Sequence, residues 1–323
     1  MTHYDVFNGD ADGLCSLRQL RLANPVDSIR ITGIKRDVML LQRVPAVAGD
    51  SVTVLDVSMD ANRAALLALL ERGVAIQYFD HHGAADIPLH PLLHAVIDTR
   101  PNTCTGILVD RYLGGAWREW AIAAAFGDNF GAEARALAAT RSLPPERIAI
   151  LQMLGECLNY NAYGDSEEDL VIPPSDLFDI LARHTDPVEF VRTEPVFSQL
   201  RDAREHDLAS VRQVRPAVDL ACGAIYLLPD ASWSRRIRGE FGNRLAREAA
   251  DKAHAILTPV RQGGYTVSVR APLSDRHHAD TLCSQFPGGG GRAAAAGINH
   301  LPPSALPDFI AAFERTFSRK PCA

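Results

Sequence analysis

At 323 residues, the chain is too long for one ordinary core and suits two domains. Hydrophobic residues make up 47% and charged residues 22% of the sequence, which is ordinary for a soluble globular protein. The net charge of −6 arises in residues 1–215, because residues 216–323 are mildly basic. A protein that tracks a long duplex through its phosphates favours a strongly basic surface. We therefore expect no stable binding of duplex DNA.

We expect neither an export signal nor a membrane-spanning segment in this sequence. No apolar run approaches the roughly 18 residues that cross a bilayer. The N-terminus, MTHYDVFNGD, lacks the basic and then apolar residues of a signal peptide. Six cysteines, at positions 15, 104, 157, 222, 283 and 322, form no CxxC pair, which fits reduced thiols. These patterns predict a cytoplasmic protein that does not bind membranes.

The first 100 residues alternate strand-like and helix-like segments, which predicts an α/β fold with a mainly parallel sheet flanked by helices. The predicted strands are Tyr4–Asn8, Ser28–Ile34, Val52–Ser58, Val74–Phe79 and Ala95–Thr99. The clearest helix spans Asp60–Arg72, with an acidic N-cap and Gly73 as its stop. Ligands of such sheets gather at the carboxyl ends of the strands.

The remaining chain predicts a helical region at 103–158, a polar stretch at 159–187 and a charged connector helix near Pro187–Val214. We interpret Asn159–Gly164 as a helix end followed by a surface turn. The predicted domains are a metal-binding domain at 1–186, a connector at 187–215 and a smaller α/β domain at 216–323. In that second domain we expect strands at Gly223–Leu228 and Tyr265–Arg270, and helices at Ser234–Asp251 and Ser304–Phe317.

Three predicted strand ends carry acidic or imidazole side chains: Asp10 and Asp12, then Asp56, then Asp80, His81 and His82. Taken singly, each motif has a plain structural explanation as a turn, a cap or a salt-bridged loop. Together at one sheet edge they would form a costly cluster of like charges unless a cation neutralised it. Carboxylate and imidazole ligands suit Mn²⁺ or Mg²⁺. Two such ions about 3.5–4 Å apart would generate a hydroxide nucleophile and clamp a phosphoryl group.

Five segments resemble the motifs of a known family. FNGDADG, LDVS, FDHHG and AAFGDN look like the four motifs of the DHH phosphoesterases, in order, and PGGGGRAAAAG looks like the glycine motif of the DHHA1 domain. The subgroup that combines both domains includes RecJ-type exonucleases, nanoRNase/pAp-phosphatase proteins and cyclic-dinucleotide phosphodiesterases. The length of the chain is closer to the nanoRNase type than to RecJ.

The resemblance implies roles for individual residues. It makes two Mn²⁺ ions the cofactor, with Mg²⁺ or Co²⁺ as alternatives, and makes Asp56 the bridging ligand. It implies that Asp80 orients a histidine from behind and that His82 faces the scissile phosphate. The implied metal ligands are Asp10, Asp12, Asp56, His81 and Asp128.

The first motif departs from the family pattern. Many members carry a metal-binding histidine four residues before the first Asp of DxD, where this chain has Val6. Asn8 is the nearby side chain with an oxygen, so water or the Asn8 amide would complete that site. We therefore expect the site shared by Asp10 and Asp56 to bind its ion more weakly.

The glycine motif and one arginine are the expected substrate contacts. Gly289, Gly290 and Gly291 allow backbone N–H groups to close on an anion, and the Ala-rich segment after them is expected to present a helix N-terminus. Arg292 stands where the family has histidine, and it binds phosphate without being able to shuttle a proton near neutrality. Arg270 resembles the family's nucleotide-binding arginine.

The resemblance predicts a Mn²⁺-dependent phosphoesterase that hydrolyses short nucleotides, such as oligoribonucleotides, pAp or linear and cyclic dinucleotides. Its substrate partner is a short nucleotide, and a homodimer is left open. A RecJ-like single-strand exonuclease is the nearest alternative, and an inorganic polyphosphatase or pyrophosphatase is more distant. A nucleotide-binding regulatory protein with an impaired metal site is the alternative from another class.

Overall fold

The computed structural model describes residues 1–318, and the chain divides into two compact units, Met1–Ala203 and Arg204–Ala323. The division falls inside the segment that the sequence assigns to the connector. Proline interrupts that connector: two helices, Pro187–Thr193 and Pro195–Val211, replace the single helix that was predicted. Pro195 has no N–H to continue a helix, so it begins a new one. No helix within residues 1–318 is long and apolar enough to cross a bilayer.

The first unit contains a five-stranded sheet whose strands are all parallel, in the order β2-β1-β3-β4-β5. Its strands are β1 (His3–Phe7), β2 (Ile29–Ile31), β3 (Ser51–Leu55), β4 (Ala75–Asp80) and β5 (Leu93–Ile97). All five predicted strands are therefore present, and the predicted fold class is confirmed. The strand order reverses between β1 and β3, the position where open α/β sheets bind their ligands.

Both faces of this sheet are buried. Phe7, Leu55 and Phe79 pack into one core cluster, whereas their neighbours Val6 and Val54 pack into a second cluster on the opposite face. Successive residues of a strand point to opposite faces, so the last two residues before each strand end are apolar on both faces in β1 and β3. Earlier in these two strands, Asp5 and Thr53 interrupt the apolar run.

Helices cover the sheet. Those before the connector are α1 (Ala11–Ala23), α2 (Arg63–Glu71), α3 (Thr105–Tyr112), α4 (Arg118–Gly127), α5 (Gly131–Ala139), α6 (Pro145–Asn161) and α7 (Pro174–Leu181), and the connector contributes α8 (Pro187–Thr193) and α9 (Pro195–Val211). Short 3₁₀ turns occur at Leu40–Arg43 and Glu167–Asp169. The expected acidic N-cap of α2 is wrong, because Asn62 occupies that position. The Asp60 carboxylate instead accepts the Ala85 N–H, which ties it to the loop after β4.

Close approach of the helices depends on glycine at one crossing. A Cβ atom on Gly155 of α6 would lie 2.1 Å from the Ala123 carbonyl oxygen of α4. Real Cβ contacts are never this short, so a side chain there would push the two helices apart. The absence of a Cβ therefore sets the position of the α4 C-terminus, which is the element that carries Asp128.

The second unit has a six-stranded sheet in the order β10-β11-β9-β8-β7-β6, in which only β7 and β8 are parallel among the described strands. Its elements are β6 (Val218–Leu220), β7 (Gly223–Leu227), α10 (Ser232–Glu248), β8 (Ala253–Pro259), β9 (Tyr265–Arg270), α11 (Ala279–Cys283), β10 (Gly289–Arg292), β11 (Ala295–Leu301), a 3₁₀ turn at Pro303–Ala305 and α12 (Leu306–Phe317). The two predicted strands and two predicted helices are present. Strand β8, a run of buried apolar residues, was missed.

One expectation for the second unit is wrong. The alanines after the glycine motif do not begin a helix, because Ala295–Leu301 is the strand β11, paired with β9 on one side and β10 on the other. Alanine favours helices, but pairing along both edges of a strand outweighs that weak preference. The glycine motif is likewise a short strand, Gly289–Arg292, and not a free loop.

Candidate metal centre

The turn after β1 directs two aspartates into the centre of the site. Asp10 is the N-cap of α1, and one of its oxygens accepts the N–H groups of Asp12 and Gly13, both at 3.0 Å. Both oxygens of Asp12 accept backbone N–H groups from the start of α3, at 2.8 Å from Thr105 and 2.7 Å from Gly106. These bonds fix the orientation of both carboxylates, and both side chains are buried.

Asp56 follows β3 with a left-handed backbone. Its φ of 58° lies in the left-handed region, which L residues other than Asn and Asp rarely adopt. The side chain is buried and accepts a hydrogen bond from the Thr105 hydroxyl at 3.2 Å. Sparsely populated backbone conformations of this kind collect at functional sites. The backbone therefore turns sharply at the point where the carboxylate enters the cluster.

His81 presents one ring nitrogen to three carboxylates. Its Nδ1 lies 3.0 Å from the Thr103 carbonyl oxygen, so Nδ1 carries the proton and donates it there. Its Nε2 lies 3.4 Å from Asp56, 3.6 Å from Asp128 and 3.9 Å from Asp12. A backbone partner on Nδ1 is the usual way in which a protein sets the tautomer of a metal-binding histidine.

Asp80 and His82 form a separate pair beside the cluster. Asp80 is fully buried at the end of β4, and its Oδ1 lies 2.6 Å from His82 Nδ1. Burial lowers the pKa of His82, but the bond to Asp80 and the charges of Asp12 and Asp128 outweigh it, so the pKa lies above its ordinary value. The His82 side chain is 44% exposed. Its Nε2 is therefore the nitrogen available to a substrate.

Asp128 closes the site from the C-terminus of α4, where it is the C-cap residue. Burial raises the pKa of Asp128, although Lys35 opposes this effect. Burial also raises the pKa of Asp56, and the charges of Asp10, Asp12 and Asp128 raise it well above its ordinary value. The carboxylates near His81 therefore repel one another, and a bound cation would relieve that repulsion.

These side chains fit a divalent cation. Ligand atoms about 2.1 Å from one ion are roughly 3.0–3.4 Å apart, close to the separations around His81 Nε2. Carboxylate oxygens with one imidazole are ligands that suit Mn²⁺ or Mg²⁺, whereas thiolates would favour zinc. Within residues 1–318, the groups that are close enough to share an ion are Asp56–His81–His82 and Asp12–His81–Asp128.

The Asp10 side of the cluster contains a lysine that was missed in the sequence. Lys35 Nζ lies 2.5 Å from Asp10, 3.2 Å from Asp128 and 3.1 Å from the side-chain oxygen of Asn159. Burial raises the pKa of Asp10, but the charge of Lys35 outweighs it and lowers the pKa. Lys35 follows β2 at the same sheet edge as the aspartates. The strand-end argument that identified the aspartates was available to find this lysine.

Two other groups of contacts were missed or misread, and Asn8 makes a backbone contact that was not predicted. Thr103, Thr105 and Gly106, which hold the ligands in place, lie at the start of α3, where only a helical region was expected. The segment Asn159–Gly164 does end a helix, but Asn161 and its neighbours are buried instead of forming a surface turn. Asn8 uses its amide oxygen to accept the Asp10 N–H at 3.3 Å.

The predicted substrate contacts lie in the second unit. Ala295 of β11 pairs with Arg270 of β9 on one side and with Arg292 of β10 on the other. Side chains at paired positions share a face of a sheet, so these two arginines lie on the same face. Arg270 is held by Asn243 at 2.8 Å and by Ser268 at 3.0 Å, whereas Arg292 is exposed.

Solved structures share this fold. Neither protein-family models nor curated proteins match the sequence. The exonuclease RecJ bound to manganese has a TM-score of 0.67 at 19% identity, covering 99% of this chain and 91% of that chain. A DHH domain described as belonging to a family of ribosomal proteins gives 0.61 at 18% identity, covering 97% and 86%. The pGpG-specific phosphodiesterase PggH from Vibrio cholerae gives 0.53 at 12% identity, covering 98% of each chain. The chain therefore has the fold of these proteins, as the sequence predicts.

Proposed function

We propose that this chain, which has the DHH fold of RecJ, is a divalent-metal-dependent phosphoesterase that hydrolyses short nucleotides. The observation that carries the proposal is the convergence of Asp12, Asp56, His81 and Asp128 at the point where the strand order reverses. A bound Mn²⁺ would polarise the phosphoryl group and lower the pKa of a water molecule. Mn²⁺ is the proposed ion, with Mg²⁺ and Co²⁺ as alternatives.

Other residues of the chain are proposed to bind the substrate and to hold the metal ligands in position. Asp80 accepts the Nδ1 proton of His82, which leaves Nε2 of the protonated imidazole to donate a hydrogen bond to a phosphate oxygen or to the leaving group. Thr105 and the α3 N-terminus keep Asp56 and Asp12 in position, so little reorganisation is needed when substrate arrives. In the second unit, Arg292 is the proposed contact for a distal phosphate, since it is exposed and always charged.

The proposed test is hydrolysis of bis-p-nitrophenyl phosphate with and without Mn²⁺, followed by a screen of pAp, pGpG, cyclic dinucleotides and labelled oligonucleotides. We expect turnover that depends on the metal and is abolished by Asp56→Asn. Asp27→Asn is the matched control, because it makes the same change at an exposed position away from the cluster. Activity that survives chelation, or that both variants lose equally, would contradict the proposal.

A single-strand exonuclease is the second candidate, favoured by the likeness to RecJ over 99% of this chain. The oligonucleotide arm of the screen separates the two. An enzyme for short nucleotides degrades dimers to pentamers faster than it degrades a 20-mer, whereas an exonuclease shows the reverse preference. If no metal supports turnover of any substrate while nucleotides still bind, the nucleotide-binding regulatory protein becomes the better explanation.

A further inference from the structure

We propose that Lys35 acts as a built-in cation of the metal centre, so that the site takes up one divalent ion and not two. The ammonium group neutralises Asp10 and one oxygen of Asp128, and the single ion would be held where Asp12, Asp56 and the other oxygen of Asp128 converge on His81 Nε2. This inference rests on the proposed metal-dependent function and specifies the charge arrangement of its site.

The position of Lys35 is fixed by contacts that do not involve the aspartates. Its backbone N–H donates to the Ala162 carbonyl at 2.9 Å, and its carbonyl accepts a hydrogen bond from Asn8 Nδ2 at 3.2 Å. At the other end, Nζ donates to the neutral Asn159 side chain and lies 5.7 Å from the centre of the Tyr163 ring. The Lys35 side chain is therefore positioned partly by an amide and an aromatic ring, and not only by attraction to the aspartates.

Asp10 has little capacity left for a metal ion. One of its oxygens caps α1, and the other lies 2.5 Å from Nζ. An ion bound to that second oxygen at roughly 2.0–2.2 Å would lie within about 4.7 Å of the ammonium charge. A second ion and the Lys35 ammonium therefore compete for the same carboxylate.

The residue type fits the same role. Only three of the 33 basic residues of the sequence are lysines, and the others are arginines. An ammonium is a compact point charge with three donors, which resembles a small ion more closely than a planar guanidinium does. Lys35 uses these three donors on Asp10, Asp128 and Asn159.

The test is to measure the number of Mn²⁺ ions bound per chain, independently of activity. Full-length protein is stripped with chelator, saturated with Mn²⁺, and examined by calorimetric titration and by electron paramagnetic resonance. We expect one equivalent and the six-line spectrum of an isolated Mn²⁺ ion. Two equivalents, or the broadened spectrum of exchange-coupled ions, would overturn the inference and leave the proposed function standing. Binding of no Mn²⁺ would refute both.

Substitution of the lysine supplies the complementary measurement. Lys35→Met keeps the length of the side chain and removes its charge, so we expect a second Mn²⁺ equivalent and an exchange-coupled spectrum. Lys35→Arg keeps the charge and should retain one equivalent. Lys252→Met is the matched control, because it makes the same change in the second unit. A Lys35→Met protein that folds and still binds one ion would show that Lys35 does not occupy the place of a second ion.

Discussion

Asp56→Asn tests the metal centre through stability as well as through activity. The substitution keeps the shape of the side chain and the oxygen that accepts the Thr105 hydrogen bond, while it removes the charge. Asparagine also tolerates the left-handed backbone at this position, which alanine would strain. Any change therefore reports the lost charge of Asp56 and not a broken turn.

The size of the expected effect follows from binding linkage. Mn²⁺ at about 100 times its Kd stabilises a protein that binds it only when folded by about 2.7 kcal/mol. For a unit of this size, each kcal/mol raises Tm by roughly 2–4 °C, so the wild-type protein should gain roughly 5–11 °C. The variant lacks the carboxylate charge nearest to His81 Nε2 and should gain less than about 2 °C.

Without metal the order reverses. The pKa of Asp56 is raised in the folded protein, so this group stabilises the fold fully below about pH 4 and loses that contribution as pH rises through the folded pKa. The neutral asparagine has no such loss. We therefore expect the metal-free variant to melt above the wild-type protein at pH 7, by a margin that shrinks towards pH 4.

Differential scanning fluorimetry with and without Mn²⁺ at pH 4–8 measures both effects, and Asp27→Asn is again the control. A variant that keeps the full Mn²⁺ shift, or more than a tenth of wild-type turnover, would show that Asp56 does not hold the ion. A metal-free variant that melts below the wild-type protein at pH 7 would refute the charge argument.

Three further predictions concern other parts of the chain. Arg292→Ala should raise KM for short nucleotides by about 10- to 100-fold and leave bis-p-nitrophenyl phosphate unaffected, because a charge-assisted phosphate contact is worth roughly 1.5–3 kcal/mol; equal effects on both substrates would exclude a distal-phosphate contact. Asp80→Asn should lower kcat by about 10- to 100-fold without changing the Mn²⁺ shift in Tm, because it weakens the bond that orients His82. Loss of the Mn²⁺ shift would instead indicate that Asp80 is a metal ligand. Arg21→Met should lower the free energy of unfolding by about 1.5–3 kcal/mol at pH 7, because it removes the guanidinium partner of the buried Asp5, which keeps its contacts with His3 and Ser28. Burial raises the pKa of Asp5, but the contacts with His3 and Arg21 have the larger effect, so the pKa lies below its ordinary value. The stabilisation that ionised Asp5 contributes is therefore present above about pH 4 and is lost as pH falls through the folded pKa. Urea unfolding should therefore show a smaller difference in the free energy of unfolding between the wild-type protein and Arg21→Met at pH 3 than at pH 7.

The parallel sheet and the first aspartates were predictable because their determinants are local. A run of buried apolar residues followed by a turn predicts a strand end, and parallel strands place their carboxyl ends at one edge. Asp10, Asp56 and His81 therefore had to lie near one another once the strands were recognised. Helix boundaries were less certain, as α2 shows, because Asn62 competes with Asp60 for the cap and local spacing does not decide between them.

The second unit shows where local preference fails. Ala295–Leu301 begins with residues that favour a helix, yet it becomes a strand because β9 and β10 pair with it from both sides. Pairing partners come from residues 265–270 and 289–292, and no pattern within the segment itself encodes them. The structure had to be known before the glycine motif could be recognised as an edge strand.

The sequence by itself determined which side chains could bind a cation. Short apolar runs identify the strands, and the carboxylates and imidazoles stand directly after them. Only the tertiary structure decided how the charge of the cluster is balanced. Lys35, Asp128 and Asn159 come from a loop after β2, the end of α4 and the end of α6, and they meet because those helices cross closely at Gly155. Helix crossings depend on the fit of side chains that lie far apart in the chain. For this reason the sequence could place Lys35 after a strand at the same sheet edge as the aspartates, but it could not show that Lys35 contacts Asp10, Asp128 and Asn159.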